Sequence, residues 1–364
     1  MVEAYAGAKK TRGLTSADLD KKEVVAKIRA IEQTIVHYGK STGFFADKML
    51  ERGPSYLSAA VLYENLVIES YSKTTTAPFP IVAVYPSEGT FWSDHPYAIL
   101  DAEWVGAEER EGAEAFLKFL KSKAAQERAM ALGFRPADPS IPTGAPIDAA
   151  HGVDPKQPQT LLETPDGATL RKLLAVWQTA KKSSDVVVVF DTSGSMKGAP
   201  LAQAKDGAKA FFGSLHDNDD VSLIFFSSQV FPMLGPFKLG SSRKDVDKRV
   251  DDQIADGKTT LCDAIESGYK AALAKAEKDP SRIYAVLVMT DGKDTGSNLG
   301  LEEIIRRITP AAESTTEVKV FTIAYGNEAD PKALARIAEA AKGSSVKGST
   351  ADIVQVYRDM AAFF

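Results

Sequence analysis

Five apolar residues, Val186 to Phe190, follow one another without a polar break in a strand expected over Asp185–Phe190, and a second run covers Ile283 to Thr290, with its strand expected over Tyr284–Thr290. A strand buried on both faces of a parallel sheet reads this way, because neither face tolerates a polar side chain. Further strands are predicted at Val221–Phe226 and Val318–Ala324, with an edge strand at Gln229–Leu234. Between them the apolar spacing changes to the helical period over Leu201–Leu215, Leu261–Ala276, Leu301–Ala311, Pro331–Ala341 and Ala351–Ala361. Strands alternating with helices predict β-α units and a parallel sheet. A short helix, Leu170–Trp177, leads into this region.

The front of the chain has a different pattern. Helical periods occur at Lys21–Tyr38, Tyr56–Tyr71 and Glu108–Ala131, and Phe79–Tyr85 is the one good strand pattern. Seven X-Pro steps fall between Arg135 and Pro165 with little apolar periodicity, which predicts an extended connector. The expected organisation is a front domain over residues 1–140, a Pro-rich linker with its lead-in helix over 141–183, and a second domain over 184–364.

With 364 residues, the chain can bury two cores. Its net charge of −5, without a long basic block, gives no electrostatic footprint for nucleic acid. One cysteine, Cys262, cannot form an internal disulfide and is expected to be a small buried residue. No stretch approaches the ~18 consecutive apolar residues of a membrane span, and residues 1–20 carry no signal-peptide core.

Chemistry concentrates where the first apolar run ends. Asp191-Thr192-Ser193-Gly194-Ser195 supplies one acid and two hydroxyls at a strand's carboxyl end, where ligands of open parallel sheets bind, and Gly194 permits a sharp turn. A carboxylate with neutral hydroxyls is a hard oxygen set suited to Mg2+ or Mn2+ rather than zinc. The second run ends in Asp291-Gly292, and Gly257-Lys258-Thr259-Thr260 runs as a polar loop into a helix, so three segments converge on one rim. Asp-x-Ser-Gly alone also serves as a turn or helix cap. A phosphatase-type nucleophile would need a second acid where Ser193 stands, and a nucleophile elbow needs glycines where Asp191 and Ser195 stand. A P-loop would need glycine at Asp252.

On these residues the chain from about Ser184 to Phe364 resembles a von Willebrand factor A domain with a metal-ion-dependent adhesion site. The family's Asp-x-Ser-x-Ser matches Asp191, Ser193 and Ser195; its loop threonine matches Thr259, with Thr260 as the adjacent alternative; its Thr-Asp-Gly matches Thr290, Asp291 and Gly292. The resemblance implies a doubly wound, Rossmann-like α/β fold around a central, mostly parallel sheet. It also implies a site for Mg2+, with Mn2+ or Ca2+ as alternatives, and a protein partner whose carboxylate completes the shell.

Val84-Tyr85-Pro86-Ser87-Glu88-Gly89-Thr90, Asp94–Leu100, Gly133–Pro136, His37–Gly43 and Tyr63-Glu64-Asn65 resemble the C-terminal part of a two-lobed bacterial extracellular solute-binding protein. This implies a smaller, partial α/β domain in front, lacking most of its N-terminal lobe, and an extracytoplasmic or cell-envelope location. Ser41, Thr42, Tyr85 and Glu88 are candidate solute ligands. The expected activity is non-catalytic: a divalent-cation-dependent protein-interaction module, the alternative being a solute receptor of a transport system with an accessory adhesion-type domain.

Overall fold

The computed structural model describes residues 1–364 except 40, 55, 73–78, 139, 312–315, 327 and 350–351. The chain divides into two compact units, residues 1–31 with 41–179, and residues 32–40 with 180–364.

The first unit carries α1 (Val2–Ala8), α2 (Lys22–Glu32), α3 (Thr42–Arg52), α4 (Glu64–Ser72), α5 (Ala107–Leu120), α6 (Lys123–Met130) and α7 (Gly167–Ala180), the last residues of α2 and α7 belonging to the second unit. The periodicity over Glu108–Ala131 predicts one helix; Ser122 breaks it, its hydroxyl accepting from the N–H of Ala125 at 3.3 Å to cap α6. The helix expected to reach Tyr38 stops at Glu32, whose carboxylate accepts from the Tyr38 hydroxyl at 2.6 Å. Of the expected Tyr56–Tyr71 helix, only the part from Glu64 onward forms.

Phe79–Tyr85 forms no strand, since among the described residues it gains no ladder of backbone bonds. It is held at one point, Ala83 N–H to Gly152 O at 2.8 Å, and among the described residues the unit has only an isolated bridge, Thr90 to Leu161. The Pro-rich stretch is correspondingly not a free connector. Ile147 and Val153 bury 99 % and 97 % of their surface beside Met49, Leu50, Val67, Ile68 and Ile81, and residues through 179 belong to the first unit. Proline removes local periodicity, so this burial, built on contacts distant in sequence, left no pattern to read.

The second unit is built on six strands: β1 (Ser184–Asp191), β2 (Asp220–Phe226), β3 (Leu234–Lys238), β4 (Ile283–Thr290), β5 (Val318–Tyr325) and β6 (Ser345–Gly348), in the order β3-β2-β1-β4-β5-β6. All pairs are parallel except β2 with β3. Strand β1 shows why its run cannot alternate. Val186, Val188 and Phe190 enter one core with α8 (Ala199–Ser214), α9 (Leu239–Asp251) and α13 (Ile353–Ala361). Val187 and Val189 enter the other with α10 (Leu261–Ala276), α11 (Leu301–Ile308) and α12 (Pro331–Ala340). Each such buried valine contributes about 1.5–3 kcal/mol over an exposed one.

The edge strand sits four to five residues later than expected, beginning at Leu234. Phe231 and Met233 in the expected span remain partly exposed on the turn between β2 and β3. Helix α13 begins at Ile353; its expected first residue, Ala351, lies outside the described residues. Among the described residues no helix is long and apolar enough to cross a membrane.

Candidate functional site

In the parallel register Phe190 pairs with Met289 and Asp191 with Phe226, so β1, β2 and β4 end at one level. The chain leaving β1 turns through Gly194–Met196 as a single 3-10 turn. That turn is tied to its surroundings by backbone bonds: Thr192 N–H to Phe226 O at 2.9 Å, Asp256 N–H to Thr192 O at 2.9 Å and Gly194 N–H to Gly257 O at 2.9 Å. Gly257 has φ of 84°, a left-handed conformation that suits glycine, and a side chain there would strike Ser228. The β1 turn is thereby fixed by main chain to the end of β2 and to the loop before Thr259, before any side chain takes part.

Ser193 Oγ lies 3.1 Å from Ser195 Oγ, and Ser195 Oγ donates to Asp291 Oδ1 at 2.6 Å. A Cβ on Gly292 would stand 3.3 Å from both Ser195 Oγ and Thr259 Oγ1, so a residue without a side chain there lets the two hydroxyls share one cradle. Asp191 accepts from Ser193 N–H at 2.8 Å through Oδ1 and from the Thr290 hydroxyl through Oδ2. All five expected residues therefore meet at the carboxyl edge of the sheet. The choice between adjacent threonines follows from their bonds: the Thr260 hydroxyl donates to Ser227 O at 3.0 Å and is used by the backbone, whereas that of Thr259 faces Gly292 and Ser195.

The site carries uncompensated negative charge. Asp191 is fully buried and Asp291 is 8 % exposed. Among the described residues both bond only to hydroxyls and backbone N–H groups, with no Lys, Arg or His opposite either. Burial pushes the Asp191 carboxyl up to about 6 against the opposing pull of Thr290 and Ser193, with Asp291 adding to the rise. Asp291 is raised by burial and by the charge of Glu328, against the Ser195 bond. Two buried carboxylates without a cationic side chain, framed by three hydroxyls, fit a hard divalent cation. Among the described residues no three of His, Cys, Asp or Glu are grouped to hold a metal ion, so the donor set depends on serine and threonine.

A supporting layer was not read from the sequence. Thr259 N–H donates to Thr295 Oγ1 at 3.1 Å, and Thr295 N–H and Gly296 N–H both donate to Thr259 O at 3.0 Å. Asp294 accepts from Cys262 N–H at 2.8 Å at the start of α10, and Asp263 accepts from the N–H groups of Asn298 and Leu299. These bonds clamp the segment after Asp291 onto the segment carrying Thr259. Two acids beside a helix start were the available signal, since free N–H groups gather there. Cys262 is buried, and burial together with the Asp294 charge raises its thiol pKa.

The front candidates do not form a comparable cluster. Ser41 Oγ accepts from Phe44 N–H and caps α3, whose first residue is Thr42. Tyr85 donates to Glu64, which holds Arg135 through two nitrogens at 2.7 and 2.9 Å; Arg135 in turn donates to Asp154 O and Pro155 O. Glu88 is exposed and accepts from the neighbouring Ser87 hydroxyl at 3.0 Å. No hydrogen bond joins Ser41 or Thr42 to Tyr85 or Glu88 among the described residues.

Residues 185–355 match the von Willebrand factor type A domain, and residues 3–155 match the bacterial extracellular solute-binding protein family. An uncharacterised protein of Synechocystis sp. is 26% identical over 161 residues, which is 44% of this chain and 36% of that protein. The chain thus matches well under two thirds of that relative's length. Among solved structures, a von Willebrand factor type A protein from Catenulispora acidiphila is 21% identical, covering 50% of this chain and 42% of that one, with a TM-score of 0.42. Proximal thread matrix protein 1 of the mussel byssus, with its adhesion-site motif occupied by zinc, is 22% identical over 50% of this chain and 48% of that one, at a TM-score of 0.40.

Proposed function

Residues 185–355 being a von Willebrand factor type A domain, we propose that this unit is a non-catalytic, divalent-cation-dependent protein-interaction module that works outside the cytoplasm. Asp191, Ser193, Ser195, Thr259 and Asp291 hold the cation, with Mg2+ favoured by the all-oxygen set and Mn2+ or Ca2+ as substitutes. The observation that carries this reading is the pair of buried carboxylates, Asp191 and Asp291, with hydroxyls rather than cationic side chains around them. A bound divalent ion would supply an electrophilic position for an external carboxylate, because the neutral hydroxyls donate no charge to quench it. The residues themselves do three things. Thr290 and Ser193 N–H orient Asp191; the Asp294 and Thr295 bonds hold Thr259 in place; Gly292 keeps the cradle open.

Among the described residues no histidine hydrogen-bonds to the five site residues, so no imidazole is offered as the base of a metal-assisted hydrolysis. Location outside the cytoplasm is inferred from the two family matches together. The test loads the protein with Mn2+ and follows the relaxation of water protons by the bound ion while acetate is added. Displacement of water by acetate lowers the enhancement; an enhancement indifferent to acetate would contradict carboxylate capture.

A second reading, solute reception by the first unit, has the match over residues 3–155 behind it. It expects a small molecule to raise the melting temperature in EDTA, and a small-molecule thermal-shift screen that found no such compound would count against it.

A further inference from the structure

Each of the three segments that build the cation site also carries one lysine beside a proposed ligand. Lys197 follows Ser195 by two residues, Lys258 precedes Thr259, and Lys293 follows Asp291 by two. All three are exposed. Among the described residues, none of their ammonium groups makes an ion pair or a hydrogen bond, whereas other lysines of the same unit are engaged: Lys205 with Asp251 O and Gln253 O, Lys209 with Asp251, Lys275 with Asp185. The backbone bonds from Gly194 to Gly257 and from Thr295 and Gly296 to Thr259 fix the three segments together, and a Cβ on Gly296 would lie 3.4 Å from Lys258 Cβ. The lysines are therefore carried on a common frame rather than on independent loops.

Their placement is unfavourable for holding a cation, since like charge near the site raises its energy, and favourable for an incoming anion. Exposed Asp256 and Glu328 stand on the same rim, and Asp263 and Asp294 lie in the layer beside it with their carboxylates turned to backbone N–H groups; among the described residues the three ammonium groups are left unpaired to meet an incoming anion. Ile254, on the segment leading to Thr259, is 82 % exposed, and Phe231 and Met233 lie partly exposed on the turn after β2, which is tied to Thr260 through Ser227. An apolar flank beside unpaired lysines suits a polypeptide rather than a sulfated glycan or a nucleic acid.

We propose that Lys197, Lys258 and Lys293 form a ring that selects an acidic protein segment with several carboxylates, one taken by the cation and the others by the lysines. This rests on the cation-site reading above. Full-length protein is titrated with Mg2+ alone, and the Mg2+-loaded protein with acetate, with hexaglutamate and with a heparin oligosaccharide. Three proteins are compared: wild type, K197A/K258A/K293A and Ser193→Ala.

The triple variant is expected to bind Mg2+ at least as well as wild type, acetate slightly more weakly and hexaglutamate roughly tenfold more weakly, with a shallower salt dependence. The opposite signs for cation and peptide exclude simple unfolding as the cause. Equal hexaglutamate affinity in wild type and the triple variant would overturn the proposal. So would wild-type binding of hexaglutamate that is indifferent to EDTA, or a preference for the heparin oligosaccharide. Failure of the underlying site reading is read separately, as undiminished Mg2+ binding by Ser193→Ala.

Discussion

Glu64 in the first unit and Asp191 with Asp291 in the second are acids withdrawn from water, and the two units treat them oppositely. Glu64 is closed off by Arg135 and Tyr85, with Arg135 satisfied further by two backbone carbonyls. Asp18 is likewise matched by Lys10 and Lys21, which hold its carboxyl far below the usual carboxylate range. Asp191 and Asp291 receive only hydroxyls and N–H groups, and both titrate upward because burial is uncompensated. A buried charge balanced by its own chain holds the fold; one left unbalanced at the edge of a rigid sheet asks for an external ion. The same contrast orders the apolar residues in reverse. The second unit buries β1 completely, while α5 of the first unit has no buried residue and stacks Phe116 on Phe119 at 6.1 Å in the open.

The largest effect expected is in the first unit. Arg135→Met leaves Glu64, four-fifths buried, without its cationic partner, and should cost about 2–4 kcal/mol in urea unfolding while leaving the Mg2+ response intact. A cost under about 1 kcal/mol would remove the internally balanced half of the comparison.

The other half is tested by Asp191→Asn, which can keep the acceptor for Ser193 N–H while removing the charge. Wild type at a Mg2+ concentration about 100 times the dissociation constant should gain about 2.7 kcal/mol, and the variant nothing. In EDTA at neutral pH the sign reverses: the variant should be the more stable protein by about 1–3 kcal/mol, since an ionised Asp191 is a burden to the metal-free fold.

The pH dependence sharpens the same point. The folded Asp191 carboxyl lies near about 6 against an ordinary 3.8, so the folded state holds its proton more tightly than the unfolded chain does. Metal-free stability from this group is highest below the ordinary value, falls as pH rises through that window and is level above it. The melting-temperature gain from Mg2+, measured by calorimetry, should accordingly grow as pH rises into the neutral range and then level off. A gain independent of pH would detach Asp191 from the cation.

The smallest expected change is Phe119→Ser on the exposed face of α5, within about 0.5 kcal/mol. A much larger loss would mean that this apolar surface is covered after all.

What could be read from sequence follows from where burial is local. Val186–Phe190 declared itself because both faces of β1 enter a core, and Asp191 was legible as the first acid after it. Asp-x-Ser-x-Ser and Asp291 were visible at strand ends, whereas Thr259 needed the family resemblance to be singled out, and the Thr260–Ser227 bond with the Gly292 cradle separates the two threonines. Helix α9 went unread because just Leu239, Val246 and Val250 are buried in thirteen mostly polar residues. Strand β6, four residues with only Gly348 buried, carries no period. In the first unit the packing of residues 141–165 depends on partners such as Tyr5 for Glu163 and Ala83 for Gly152, some 70 to 160 positions away, and no window of neighbouring residues can show it.

The central claim is that Asp191, Ser193, Ser195, Thr259 and Asp291 together hold one divalent cation. Calorimetric titration of metal-free full-length protein with MnCl2 tests it most directly, beside a Ser193→Ala/Ser195→Ala variant whose fold is checked by circular dichroism. The account predicts one Mn2+ per chain in wild type and none in the folded variant; the same stoichiometry and affinity in both would contradict it.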